Sequence, residues 1–188
     1  MSERRPAPVL LIVAAFSRHS GALAWAQTEL EQLYGPVALA SLPFDFNQTR
    51  YYEPTMGPDL RKLFLAFGLV SSGLLARFKI QTGELEQRLA LTAEYEESRP
   101  LNLDPGLLGL GKFLLATTKD QAHRVYLADG IYAEVTLRYQ AGAFEPWPWT
   151  YADYRQPCVL SFFNQARTYY RGLLRELEHV SEHPTQVR

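Results

Sequence analysis

Residues 9–16, VLLIVAAF, constrain this chain more than any other segment. Eight successive residues without polar alternation cannot make a strand with one wet face, so they require cover on both faces of a sheet. The run falls well short of the ~20 apolar residues of a membrane span. Nor does it read as a signal peptide: Arg4 and Arg5 precede it, but Arg18-His19-Ser20 stands where small residues would mark a cleavage site. A central strand of a soluble protein is the expectation, with residues 1–7 and 181–188 as frayed tails and the whole chain as a single domain.

The elements around that strand follow from spacing. Ser20 is placed to cap a helix with Leu23, Ala26, Leu30, Leu33 and Tyr34 at helical intervals, and Gly35-Pro36 stops it. Residues 37–46 read as a strand, 47–59 as a turn-rich connection, and 60–67 as the next strand. Ser71-Ser72 opens a second helix with Leu74, Phe78, Leu85 and Leu89 on one stripe, and Leu101-Asn102-Leu103 supplies another strand. The order predicts α+β: a ferredoxin-like βαββαβ core, extended by a β-hairpin layer and closed by a C-terminal helix. That last helix begins near Pro157 and carries Val159, Phe163, Ala166, Tyr170 and Leu173 on one face.

The hairpin combines residues 123–127 with 131–139 around Ala128-Asp129-Gly130. In its second strand Ile131, Ala133, Val135 and Leu137 form an apolar face, leaving Tyr132, Glu134, Thr136 and Arg138 on a face that is wet or lines a site. A three-residue loop with Gly130 left-handed pairs Arg124 with Glu134, whereas a two-residue loop would set Val125 against Glu134.

Three segments resemble a known family. They are Tyr51-Tyr52-Glu53-Pro54-x-Met56-Gly57; Leu101-Asn102-Leu103-Asp104-Pro105-Gly106; and Ala116-Thr117-Thr118-Lys119-Asp120 through Gly130-Ile131-Tyr132-Ala133-Glu134-Val135. With Pro148-Trp149-Thr150-Tyr151-x-Asp153-Tyr154 continuing the match, the chain resembles the prokaryotic domain-of-unknown-function 4416 family over most of its length. The resemblance brings no known activity to carry over and names no cofactor, so whether the chain is an enzyme and what cofactor it uses stay open. The family pattern has an asparagine near the second helix where this chain has Gly83.

Chemistry is narrowed mostly by exclusion. Nineteen Lys and Arg against 20 Asp and Glu give a net charge of −1, without the basic excess that duplex nucleic acid would require. The single cysteine, Cys158, rules out an internal disulfide and fits a reducing cytoplasm; after Pro157 it reads as a small buried residue rather than a nucleophile. Thr117-Thr118-Lys119-Asp120 lacks the spacing of a base-reading GTPase motif, and no phosphate-cradling P-loop exists. Glycines 106–111 read as a flexible turn. Of the histidines only His179 and His183 have an i, i+4 spacing, at a chain end, so no metal site is expected.

What remains is a set of charges. Asp104 in a turn, Lys119 after a strand, and Arg124 and Glu134 across the hairpin can bind a small anionic ligand, a nucleotide or a phosphorylated metabolite. The structural alternative is a cross-strand ion pair between Arg124 and Glu134, with Asp104 in an ordinary turn. Lys79, Thr82 and Glu86 share a stripe on the second helix that reaches the sheet edge or is a solvated margin. The loop residues Tyr52 and Glu53 can cover a pocket. His123 falls on the face of Val125 and Val135, a core position or a base, and Trp147 and Trp149 anchor an extended segment or form a groove. Two rival functions stand beside ligand binding: a protein interaction or homodimerisation module, and single-stranded RNA on a sheet face.

Overall fold

The structure, a computed structural model, describes residues 6–182, with side chains described to residue 179. Its elements are β1 (Val9–Ser17), α1 (Ser20–Tyr34), the short pieces β2 (Leu39–Ala40) and β3 (Phe44–Asp45), α2 (Glu53–Met56), β4 (Arg61–Val70), α3 (Leu75–Leu91), β5 (Asn102–Leu108), β6 (Lys112–Thr117), β7 (Val125–Ala128), β8 (Ile131–Gln140), β9 (Ala143–Pro146) and α4 (Pro157–Glu182). The tail expected from residue 181 begins as the last turn of α4. The rest of it, His183 and residues 1–5 lie outside the described residues.

The strands form one sheet in the order β2-β4-β1-β5-β6-β8-β7, with β3 also on β4 and β9 also on β8. Every pairing is antiparallel. The first half is thus a βαββαβ unit whose strands lie in the order β2-β4-β1-β5. The expected hairpin layer does not form a separate layer. β6 pairs with β5 and carries β8 and β7 outward in the same sheet.

β1 is covered on both faces, as its sequence demands. Leu11, Val13 and Ala15 pack with α1 and α3, through Leu23, Ala26 and Leu30 on one helix and Phe78, Leu85 and Leu89 on the other. Leu10, Ile12 and Ala14 face the opposite way, where α4 lays Val159, Phe162, Phe163, Ala166 and Tyr170 against the sheet. Each buried Val, Leu, Ile or Phe side chain among them contributes about 1.5–3 kcal/mol relative to exposure. Cys158 is exposed, because the α4 residues that meet the sheet are its neighbours Val159 and Phe162. Its expected burial is wrong by one position on the helix. Ser20 does not cap α1; the helix opens after His19, whose N–H donates to the Ser17 hydroxyl.

Several strand boundaries moved for local reasons. The strand expected over 37–46 is broken by Ser41-Leu42-Pro43 into β2 and β3, since proline can donate no ladder bond. Asp104-Pro105-Gly106 is not a turn but the middle of β5, paired with Val13 and its neighbours on β1. The turn lies further on, where the Gly109 N–H donates to the Lys112 carbonyl. The hairpin loop is a two-residue Asp129-Gly130 turn with φ of 53° and 75°, and a ladder irregularity between Tyr126 and Ala128 restores the register that sets Arg124 beside Glu134. A second irregularity sets Phe113 opposite Leu137 but Leu114 opposite Val135, so β8 carries an extra residue at Thr136. The apolar face of β8 therefore changes sides: Ile131 and Ala133 pack under α1 and α3, while Leu137 packs under α4. Glu134 and Thr136, on the face expected to be wet or to line a site, are buried.

Gly106 holds β5 against β6. A Cβ there would stand 2.2 Å from the Phe113 ring and 2.5 Å from the Leu114 carbonyl oxygen. Gly83, inside α3, has nothing within 4 Å of the same construction. Two glycine-to-alanine substitutions should therefore have opposite signs in urea denaturation. Gly106→Ala is expected to lose about 2–3 kcal/mol by overpacking, and Gly83→Ala to gain about 0.5–1 kcal/mol of helix propensity.

Candidate functional site

The site begins with a gap in the sheet. β5 pairs with β6 only from Gly106 to Leu108, although both strands continue past that point. Leu103 turns its backbone away from β1, so in an antiparallel ladder Pro105, two residues on, faces the same side with no N–H to donate. Where β6 no longer reaches, α3 substitutes for it. Glu86 accepts from the Leu103 N–H at 2.7 Å, and Lys79 donates to the Leu103 carbonyl at 2.8 Å. This explains the Lys79-Thr82-Glu86 stripe: two of its members satisfy backbone groups that a strand would otherwise pair.

A cavity of about 510 Å³ opens at this splay. β4 and β1 bring Lys62 and Phe16, which stand opposite each other in the ladder, and β5 brings Asn102 and Asp104. The loop before α2 supplies Tyr51 and Tyr52, the end of β6 supplies Thr117, Thr118 and Lys119, and the turn before α4 supplies Tyr151, Asp153 and Tyr154. Six aromatic residues, Phe16, Phe46, Tyr51, Tyr52, Tyr151 and Tyr154, line it together with four cations, Lys62, Lys79, Arg99 and Lys119, and two carboxylates, Asp104 and Asp153.

The charges are ordered from floor to mouth. At the floor Lys62 Nζ donates to Asp153 at 2.7 Å, with both side chains about 5% exposed or less. Four rings surround that ammonium, the nearest being Tyr154 at 4.6 Å from its centroid. In the middle Lys79 donates to Asp104 at 2.8 Å, Asn102 donates to the other Asp104 oxygen at 2.7 Å, and Arg99 bridges Glu86 and Asn102. At the mouth Lys119 lies over the exposed Tyr51 ring and donates to its hydroxyl at 3.1 Å. It has no carboxylate partner among the described residues.

Proton affinities follow the same plan. Burial alone would raise the Asp104 carboxyl, but the Lys79 and Lys62 charges with the Lys79 and Asn102 hydrogen bonds hold it below the ordinary aspartate value. Glu86 goes the other way: burial raises it against the opposing pull of Lys79 and Arg99. Burial also raises the Tyr154 phenol, helped by the charges of Asp153, Asp104 and Glu134, so it stays a neutral donor. The hydrogen bond from Lys119 lowers Tyr51.

Of the expected site residues, Asp104, Lys119, Lys79 and Tyr52 line this cavity, while Arg124, Glu134 and Glu53 do not. Arg124 and Glu134 are a buried pair at 2.9 Å behind the wall. Arg124 also donates to the Lys119 carbonyl, Thr117 and Tyr151, so its fork is occupied in holding the mouth loop. Glu134 further accepts from Thr136 and meets His123 at 3.3 Å, which puts His123 on the Glu134 side and not with Val125. Glu53 is exposed on α2 beside Arg50. Trp147 and Trp149 stack at 5.0 Å, and the Trp149 indole donates to the Val135 carbonyl, so they anchor the segment that delivers Asp153 and Tyr154.

Sequence reasoning missed Lys62, Arg99, Asn102, Asp153 and Tyr154. One signal was available: Lys62 falls on the strand face of Leu60 and Phe64, where an unpaired charge would be prohibitive. No cluster of three or more His, Cys, Asp or Glu with metal-binding geometry exists among the described residues. Likewise, no helix among them is long and apolar enough to cross a membrane.

Two stability experiments probe this wiring. Arg124→Ala leaves Glu134 buried without its cation and should cost about 3–5 kcal/mol in urea denaturation. The Asp104 carboxylate, depressed on folding, contributes stability that is complete above its unfolded value near 3.8 and vanishes as pH falls through the lower folded value. The stability difference between the wild type and Asp104→Asn should therefore shrink on acidification below about that pH; a difference that grows would contradict the assignment.

A family model described as a domain of unknown function (DUF4416) matches residues 7–170, which include every cavity-lining residue. No curated protein and no solved structure matches the chain. The matched span takes in the sheet, the splayed strands and the turn before α4, and the chain belongs to the DUF4416 family.

Proposed function

We propose that this protein binds a small anionic ligand, a nucleotide or a phosphorylated metabolite, in the cavity at the splay of β5 and β6. The observation that carries the reading is the lining itself: four cations against two carboxylates, among six aromatic rings, in about 510 Å³. That volume is in the ordinary range for small-molecule sites. Asp153 and Asp104 neutralise the two inner lysines and Glu86 engages Arg99, so the uncompensated positive charge is Lys119 at the mouth. In this reading Lys119 meets the anion and Asp104 stands in the cavity wall, paired with Lys79. Arg124 and Glu134 support the loop instead of touching ligand. The unit that carries the cavity is read as ferredoxin-like, and the exposed Cys158 thiol suits a soluble protein of the reducing cytoplasm.

A second reading, pairing of two copies, rests on one observation: the outermost strand β7 exposes Val125, Tyr126 and Leu127. Light scattering distinguishes it, since a monomeric mass at micromolar concentration would remove it.

Thermal denaturation against a panel of nucleotides and phosphorylated sugars tests the primary reading. A ligand at ~100 times its Kd adds about 2.7 kcal/mol and should raise the Tm by about 5–10 °C. Lys119→Ala, at an exposed position, should weaken the best binder about tenfold without lowering the Tm of the free protein. No shift with any compound of the panel would overturn the reading.

A further inference from the structure

The floor and mouth of the cavity are not equivalent, and their difference says which end of a ligand each receives. Resting on the anionic-ligand reading above, we propose that the ligand is a nucleotide with an oxo-substituted planar ring, bound ring-first, its oxo group at Lys62 and Tyr154 and its phosphate at Lys119.

The inner end holds spare donors. Tyr154 is 1% exposed, lines the cavity, and its hydroxyl has no hydrogen-bond partner among the described residues. An unpaired buried hydroxyl costs free energy that a ligand acceptor recovers. Lys62 Nζ uses one of its three N–H groups, on Asp153, and no other acceptor reaches it among the described residues. The acceptors beside them are largely engaged: both Asp104 oxygens accept, from Lys79 and Asn102, and Asp153 Oδ2 accepts from Lys62. A ligand group that enters this end must chiefly accept.

It must also be uncharged. Each inner lysine is matched by a carboxylate, so a phosphate placed there would face Asp153 and Asp104 with no surplus cation. A ring carbonyl accepts without adding charge, and the walls beside it are the faces and edges of Phe16, Tyr52 and Tyr154, suited to a planar ring. The phosphate then falls at the open end, where Lys119 is the unmatched cation and the Tyr51, Thr117 and Thr118 hydroxyls stand beside it. The ring-first orientation follows from where the surplus donors and the surplus charge lie.

Calorimetric titration of the full chain tests this with four probes: uridine 5′-monophosphate and inosine 5′-monophosphate carry the ring carbonyl, whereas ribose 5-phosphate lacks the ring and uridine lacks the phosphate. The better oxo nucleotide should bind at least tenfold more tightly than either truncated probe. Tyr154→Phe removes a hydroxyl that has no hydrogen-bond partner among the described residues, so its Tm should hold or rise, while its affinity for that nucleotide should drop about tenfold and that for ribose 5-phosphate should not change. Lys119→Ala should weaken the nucleotide and leave uridine unaffected. Equal binding of ribose 5-phosphate and the nucleotides, or a Tyr154→Phe protein with undiminished nucleotide affinity, would overturn the ring-first assignment while leaving anion binding standing. Binding of none of the phosphorylated probes, alongside a silent thermal panel, would remove both.

Discussion

The structure turns on a place where a sheet stops being a sheet. Beyond Gly106, β5 loses its β6 partner, and the backbone of Leu103 would be left with a buried donor and acceptor if α3 did not present Glu86 and Lys79 at bonding distance. Removing either side chain would strand a backbone group, at a cost of about 1–3 kcal/mol. Because these two groups are ionised, the repair also brings charge into the interior. That charge recruits Arg99 to Glu86 and Asp104 to Lys79, and a cavity with a polar wall results. Fold and site share one cause.

A second buried pair, Lys62 with Asp153, ties the cavity floor to the segment that precedes α4. Its partners are 91 residues apart, so it forms only once the C-terminal half has come back over the sheet. The stacked tryptophans and the Thr150 hydrogen bond to the Thr136 carbonyl fix that return. Isolated buried pairs are weak stabilisers because desolvation offsets their attraction. Here the ammonium is also enclosed by aromatic rings and the pair lines the cavity, where the proposed ligand would reach it.

Elements defined by short-range pattern were legible in the sequence. The unbroken apolar run required a doubly covered strand; helical spacing gave α1, α3 and α4; and the Arg124 register against Glu134 followed from keeping each face chemically consistent. What escaped was set by irregularities that periodicity does not encode. One extra residue at Thr136 moved Leu137 to the other face, and the returning Trp149–Tyr151 segment covers Glu134, so a face expected to be wet or to line a site became a supporting wall. Asp104-Pro105-Gly106 has the composition of a turn, yet its glycine serves close strand packing and its proline sits where no donor is wanted. Asp153 and Tyr154 stood in a family-like segment without any sign of a site, since only the three-dimensional return of the chain brings them to Lys62.

Chemical-shift mapping of the labelled protein during titration with uridine 5′-monophosphate or inosine 5′-monophosphate tests the central claim most directly. The account predicts that amide perturbations gather on residues 49–52, 102–104, 117–121 and 151–154, on both sides of the splayed strands. Perturbations confined to β7, with those four segments silent, would contradict it.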